Sequence, residues 1–419
     1  MRLLVKGGRV VDPASGRDAV GDVLIADGKI AHGGAPPDRS IDATGLVVAP
    51  GLIDLAARLR EPGNEHKARL ESELDAAVAG GVTSLACPPD TDPPLDEPGL
   101  VDMLRRRAKA LSHARVYPVG ALTVKLAGKQ LTEMAELAEA GCVAFSQANV
   151  PIGDTQVLWR ALQYAATFGF PVWLRAEDAW LGKGGVAHDG EVATRLGLAG
   201  IPVFAETIAL AQLFELVRAT GARVHVCRIS SAAGVAMLRR ARHEGLPLTC
   251  DVGIHHLHLS DMDLGYFDSH CRLEPPLRSQ RDREALAAAL ADGTIDCAVS
   301  DHTPVDEDKK LLPFAEAEPG ATGLELLLPL ALKWGMERKL SLAQTLARIT
   351  SAPARVLGVA SGRIEPGAPG DLVLFDPQAH WRVSPGELRS QGKNTPFLGV
   401  ELAGRVRATI VAGNVVYEA

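Results

Sequence analysis

The segment Leu131-Thr132-Glu133-Met134-Ala135-Glu136-Leu137-Ala138-Glu139-Ala140-Gly141-Cys142-Val143-Ala144-Phe145 joins two kinds of pattern. Its first part has the apolar spacing of an amphipathic helix, and Gly141 is a usual helix stop. Its last four residues are a short apolar run of the kind that forms a strand. The alternation recurs along the chain. Strand candidates lie at residues 52–55, 82–86, 115–119, 142–145, 171–175, 223–227, 248–252 and 296–300, and helical stretches follow most of them. Strand–helix units repeated over roughly 300 residues predict an α/β chain built on a (β/α)8 TIM barrel. A doubly wound open sheet is the alternative. Its phosphate loop is missing, since neither G-x-G-x-x-G after the first strand nor G-x-x-x-x-G-K-[ST] occurs.

The two chain ends read differently. Residues 3–11 and 22–30, and again 370–375 and 409–416, are strand-like with glycine at the turns. We expect residues 1–50 and 360–419 to form a composite β-sandwich domain and residues 51–359 to form the barrel.

Composition narrows the function. The chain has 419 residues, with 44 Lys+Arg against 51 Asp+Glu and a formal net charge of −7. A mildly acidic chain without a basic block does not suit nucleic acid or an anionic membrane as partner. Cys87, Cys142, Cys227, Cys250, Cys271 and Cys297 form no Cys-x-x-Cys pair and mostly sit in apolar runs, which reads as free thiols in a reducing cytosol. The start, Met1 to Gly7, has no signal-peptide core, and the longest apolar run, residues 326–332, contains Pro329 and is too short to span a bilayer. The expectation is a cytoplasmic protein.

In a barrel the chemistry sits just past the strand ends. Those positions hold Asp54 to Gly63, Cys87 to Pro93, Ser146 to Asn149, Arg175 to Asp178, Arg228 to Ser231, His255 to His258 and Ser300 to Pro304. The chain also carries the motifs Pro50-Gly51-Leu52-Ile53-Asp54, Leu59-Arg60-Glu61-Pro62-Gly63, Pro275-Pro276-Leu277-Arg278, Asp301-His302-Thr303-Pro304 and Pro319-Gly320-Ala321-Thr322-Gly323-Leu324-Glu325. Nearer the C-terminus stands Asn394-Thr395-Pro396-Phe397. In this order, over nearly the whole length, these motifs resemble the bacterial dihydroorotases of the amidohydrolase superfamily. The resemblance implies the reversible cyclisation of carbamoyl-aspartate to dihydroorotate, in pyrimidine synthesis, with zinc at the barrel mouth.

At the metal positions the resemblance fails. The family's His-x-His after strand one is matched by Ala56 and Arg58. Its acidic pair after strand four is matched by Gln147 and Ala148. Its histidines after strands five and six are matched by Arg175 and Arg228. Of the metal shell, Asp301 survives. Zinc takes three or four lone pairs from His, Cys or carboxylate. Alanine has none, and arginine stays protonated and presents hydrogens. Without zinc no hydroxide is generated near neutral pH, which leaves Asp301 an idle base. The substrate positions change as well. Arg60 matches the family's carboxylate-binding arginine, while Asp90 and Glu274 stand where the family has asparagines, and Val305 replaces a histidine. A dianionic substrate would be repelled by Asp90 and Glu274.

Arg58, Arg175 and Arg228 admit three readings. In the favoured one they fill the metal space and pair with Asp301, Asp54 and Glu177. The others are an anion pocket for phosphate or carboxylate, and a catalytic role. His255, His256 and His258 match no metal position and read as loop supports. His225 reads as barrel wall and His302 as support beside Asp301. Ser230-Ser231 reads as a helix N-cap. The resemblance therefore implies a dihydroorotase-like pseudoenzyme without cofactor. Such a chain would be a homo-oligomeric structural or regulatory subunit whose partner is the aspartate carbamoyltransferase catalytic subunit. The alternatives are an active or altered amidohydrolase acting on cyclic amides, and a ligand sensor.

Overall fold

The computed structural model of the protein describes residues 2–111 and 113–419. Eight parallel strands lie side by side in chain order: Leu52–Asp54, Val82–Cys87, Arg115–Ala121, Ala144–Ser146, Val172–Arg175, Val224–Cys227, Leu248–Gly253 and Cys297–Val299. All eight predicted strands are present. The first and last approach just beyond their ends, where Ala57 bridges His302, the Arg58 amide donates to the His302 carbonyl at 2.9 Å, and the His302 amide donates to the Ala56 carbonyl at 3.0 Å. The barrel is thus drawn together at its mouth, by the residues that line it.

Alternate strand residues serve two cores, as the strand period of two requires. Ile53, Ala144, Trp173, Cys297 and Val299 pack inside the barrel. Leu52, Phe145, Val172 and Ala298 face outward into the larger core beneath the helices. Those helices begin and end where sequence chemistry says. Met134–Ala140 stops at Gly141, whose φ of 112° suits glycine. Ala232–His243 starts at Ser231, whose side chain accepts from the Gly234 amide.

Strands from both chain ends share one mixed eight-stranded sheet, in which Val47–Pro50 pairs with both Arg2–Asp12 and Leu372–Arg382. The sheet has a core of its own, including Leu3, Ile25, Val48, Leu374 and Ile410. All six cysteines are free. Among the described residues, no helix is long and apolar enough to cross a membrane.

Two buried side chains fasten the mouth to the rest of the fold. Glu73, from the helix Leu70–Ala79, is bonded to His302 Nε2 at 2.5 Å and accepts from Ser390 Oγ at 2.6 Å and the Gln391 amide at 3.0 Å. Asn394 donates to the carbonyls of Thr303 and Gly320, both at 3.0 Å, and accepts from the Val305 amide at 3.0 Å. The motif around Asn394 is therefore a staple for the mouth loops.

The histidine run has the supporting role expected of it. His256 Nε2 is bonded to the Pro275 carbonyl at 3.0 Å and His258 Nε2 to the Leu330 carbonyl at 2.9 Å, while His255 stacks on Phe397. Burial pushes His255 and His258 down to about 4 from an ordinary value of 6.5. Between those values the unfolded chain binds protons that the fold does not, so stability is full above pH 6.5 and falls as pH drops toward 4. Urea midpoints are expected to decline from pH 7 to pH 5, with a slope up to about 1.4 kcal/mol per pH unit per ring. His258→Gln should flatten part of that slope; equal midpoints across the range would contradict the assignment.

Candidate functional site: an arginine–carboxylate lattice

Each residue at the mouth is placed by the end of a strand. Ala56, Arg58 and Arg60 follow the first strand, Asp90 the second, and Gln147, Ala148 and Asn149 the fourth. Arg175 ends the fifth, Arg228 follows the sixth and Asp301 the eighth. Arg60, Ala148, Arg228 and Asp301 all have positive φ, at 61°, 50°, 52° and 46°. Non-glycine residues in this region carry strain, and such residues cluster where a loop must aim a side chain.

Arg58 is 5% exposed, and each of its three nitrogens donates. Its Nε donates to Asp90 at 2.6 Å, Nη1 to Asp301 at 3.2 Å and to Thr303 Oγ1 at 3.0 Å, and Nη2 to Asn149 Oδ1 at 3.0 Å. Arg228 reaches the same two acceptors, with Nη1 2.8 Å from Asp301 and Nη2 2.6 Å from Asn149 Oδ1. Arg175 pairs with Glu177 and donates to the Asn149 carbonyl at 2.9 Å. Asn149 Nδ2 closes the lattice onto Glu274 at 2.8 Å. Burial works against charge on Arg58, but Asp90 and Asp301 outweigh it and raise its pKa. Burial likewise works to raise Asp90, yet the Arg58 guanidinium holds it below the usual carboxylate range.

Arg60 is turned to structural use. Its Nε donates to the Pro304 carbonyl at 2.8 Å, and its Nη2 lies 3.8 Å from Glu318, which Lys67 also holds at 2.5 Å. Burial, then the neighbouring Arg58, lowers its pKa. Gln147 is spent on Thr123 Oγ1 at 3.0 Å and the Leu126 carbonyl at 2.8 Å. Ala56 and Ala148 are buried wall.

The expected pairing is corrected in one place. Asp301 and Glu177 do take arginines, but Asp54 does not. It lies fully buried on the first strand and accepts from the Ser300 amide at 2.9 Å and the Ser300 hydroxyl, with burial raising its pKa. The guanidiniums extend away from it, toward the rim carboxylates. Two members of the lattice escaped the sequence reading. Asn149 joins Arg58, Arg175, Arg228 and Glu274, and Thr303 gives Arg58 a further acceptor. The available signal was position, since both stand in strand-end stretches already singled out.

These donors do not fit zinc. The mouth presents guanidinium hydrogens where lone pairs are needed, and its one surviving ligand, Asp301, is held by two arginines. Among the described residues, one His/Cys/carboxylate group is tight enough for a metal: His225, Cys227 and Asp251. It lies within the barrel wall and is already satisfied. His225 bridges Thr249 Oγ1 and Asp251 Oδ2, each at 2.8 Å, and Asp251 Oδ1 accepts the Arg228 amide at 2.6 Å. Burial also drives the Cys227 thiol well up. The group serves to hold Arg228 in its strained conformation. The space left inside the mouth is about 20 Å³, lined by Arg58, Arg228, Trp173 and small side chains. A phosphate, a carboxylate ligand or a cyclic amide does not fit there.

Comparison with known proteins agrees with the fold. The family profile described as dihydro-orotase-like matches residues 45–233, and that of the amidohydrolase family matches residues 185–416. The chain is 45% identical to a dihydroorotase-like protein of Pseudomonas aeruginosa and 42% identical to a dihydroorotase of Geobacter sp. (strain M21), with 100% of each chain covered in both cases. Among solved structures it resembles the L-hydantoinase (dihydropyrimidinase) of Arthrobacter aurescens, with a TM-score of 0.88 and 26% identity over 99% of this chain and 96% of that one.

The lattice makes Asp301 a structural charge. Asp301→Asn leaves two buried guanidiniums facing a neutral amide, and is expected to cost about 3–5 kcal/mol in urea denaturation. A change smaller than about 0.5 kcal/mol, the range of an ordinary surface substitution, would refute this role.

Proposed function

This chain belongs to the dihydroorotase-like family of amidohydrolases, and we propose that it is a non-catalytic member, a pseudoenzyme acting as a structural or regulatory subunit for aspartate carbamoyltransferase. The observation that carries the reading is the ion pairing of Arg58 and Arg228 with Asp301 in the space where the family holds zinc. Hydrolysis of a cyclic amide needs a polarised carbonyl and an activated water. Here the carboxylate suited to take a proton is neutralised by two cations, the arginine suited to hold a substrate carboxylate is bonded to Pro304 and faces Glu318, and the cavity is too small for substrate.

What is retained is architecture. The barrel, the terminal sheet, the Glu73 and Asn394 fasteners and the strained strand-end conformations all persist around a site without zinc donors. A fold kept at that cost without its chemistry fits selection on its outer surface, and a carbamoyltransferase subunit is the partner that the family resemblance offers. The chain would assemble in the cytoplasm with its own copies and with that partner.

Purified from cells grown with zinc, the full chain is expected to hold less than about 0.1 zinc per polypeptide by elemental analysis. It should not turn over dihydroorotate above blank. Mixed at micromolar concentration with the aspartate carbamoyltransferase catalytic subunit of the same organism, it should co-elute on size-exclusion chromatography. Stoichiometric zinc with turnover abolished by Asp301→Asn would establish the amidohydrolase reading instead. Separate elution with unchanged transferase activity would remove the partner assignment.

A further inference from the structure

The helix Val203–Thr220 is apolar on both of its faces. Ala205, Leu210, Leu213, Phe214 and Val217 are buried. Phe204, Ile208 and Ala211, spaced i, i+4 and i+7, stand exposed on the opposite side, Phe204 at 52% and Ile208 at 46%. A covering helix ordinarily shows solvent a polar face. The neighbouring helix Ala232–His243 does so, exposing Arg239, Arg240 and His243. Two mouth loops extend the bare face. The loop after the fifth strand is tied to the start of the helix by the Asp178 amide, which donates to the Ala205 carbonyl at 2.9 Å, and it shows Trp180 at 72% and Leu181 at 36% exposure. The loop after the fourth strand lies against it, since a Cβ on Gly153 would sit 3.4 Å from that of Ala179, and it adds Val150 at 46%.

Together these residues leave bare roughly 500 Å² of mostly apolar surface, near the upper end for a monomer's largest patch and over half of the ~800 Å² each partner gives to a standard interface. Charge decides which occupant fits. Glu177 pairs with Arg175, Asp178 accepts from the amides of Trp180 and Leu181 at 3.0 and 2.9 Å, and Lys183 lies over the Trp180 ring. These four charges cancel, so a partner recognised by its charge finds nothing to read. A second copy meets no obstacle: in a two-fold dimer a face meets itself, and any net charge would meet its like. In a chain of net charge −7 that condition is selective. A second group of exposed apolar residues, Met262, Tyr266 and Leu311, stands in segments that hold Asp263, Asp268, Glu307 and Asp308, and would repel its own copy. We propose that the face built from Phe204, Ile208, Trp180, Leu181 and Val150 docks a second copy of this chain, face to face about a two-fold axis. This rests on the reading that the chain assembles with its own copies, and names the surface that joins them.

Sedimentation velocity of the full chain across the micromolar range tests the face. The wild type is expected to be a dimer. Phe204→Glu and Ile208→Glu each set a carboxylate against its own copy and should raise the dissociation constant by about 30-fold or more, the loss that follows removal of an interface anchor. Val20→Glu, at a residue 76% exposed on the terminal sheet, should leave the dimer intact. All three positions are exposed, so melting should stay within about 2 °C of the wild type; where Phe204→Glu does not fold, Phe204→Ser carries the same test. A wild-type dimer that both glutamate variants keep overturns this face and leaves self-association standing. A wild type that stays monomeric at high micromolar concentration overturns self-association and the face with it. Loss of co-elution with the transferase subunit in Phe204→Glu, with the chain alone a monomer, assigns the face to the transferase and overturns the second copy.

Discussion

Asp301 accepts from both Arg58 and Arg228 inside the barrel mouth, and much of the local structure is a consequence of keeping those charges balanced. A guanidinium taken out of water needs a compensating carboxylate and an acceptor for most of its hydrogens. Arg58, Arg60, Arg175 and Arg228 meet that need with Asp90, Asp301, Glu177 and Glu318, together with the two faces of Asn149 and the carbonyl of Pro304. The result is a cross-linked plug between strand ends one, two, four, five, six and eight.

That plug holds the barrel mouth closed by side chains alone. A bound cation ties several strand ends together; two guanidiniums sharing Asp301 and Asn149 tie the same ends with directional bonds. Removing a ligand histidine alone would leave a buried carboxylate without a counter-charge. Arginines at those positions bring positive charge and fill volume in one step. The backbone keeps the geometry of a mouth built to aim side chains inward, seen in the positive φ of Ala148, a residue that packs with Ala121 and Leu126.

Much of this was legible in the residues alone. All eight barrel strands follow from short apolar runs between helical stretches, because a strand shielded on both faces must be apolar throughout and a covering helix must be amphipathic. The incapacity for zinc also follows from residue type, since alanine and arginine lack lone pairs at any distance. Ser231 as an N-cap and Gly141 as a stop are local rules that hold without tertiary information.

Which carboxylate meets which arginine was not legible. Asp54 and Asp301 both stand at strand ends, yet Ser300 takes Asp54 into the barrel wall and leaves Asp301 facing the guanidiniums. Position at a strand end marked Asn149, but not that it bonds three arginines and Glu274. Arg58 and Asp301 stand 243 positions apart, and the choice of such partners depends on side-chain reach and strand registry that no local pattern encodes. The sequence by itself determined the barrel and the loss of the metal donors, because periodicity and atom type are properties of the residues. The tertiary structure alone decided how the mouth is filled, because charge compensation in a buried space depends on distances.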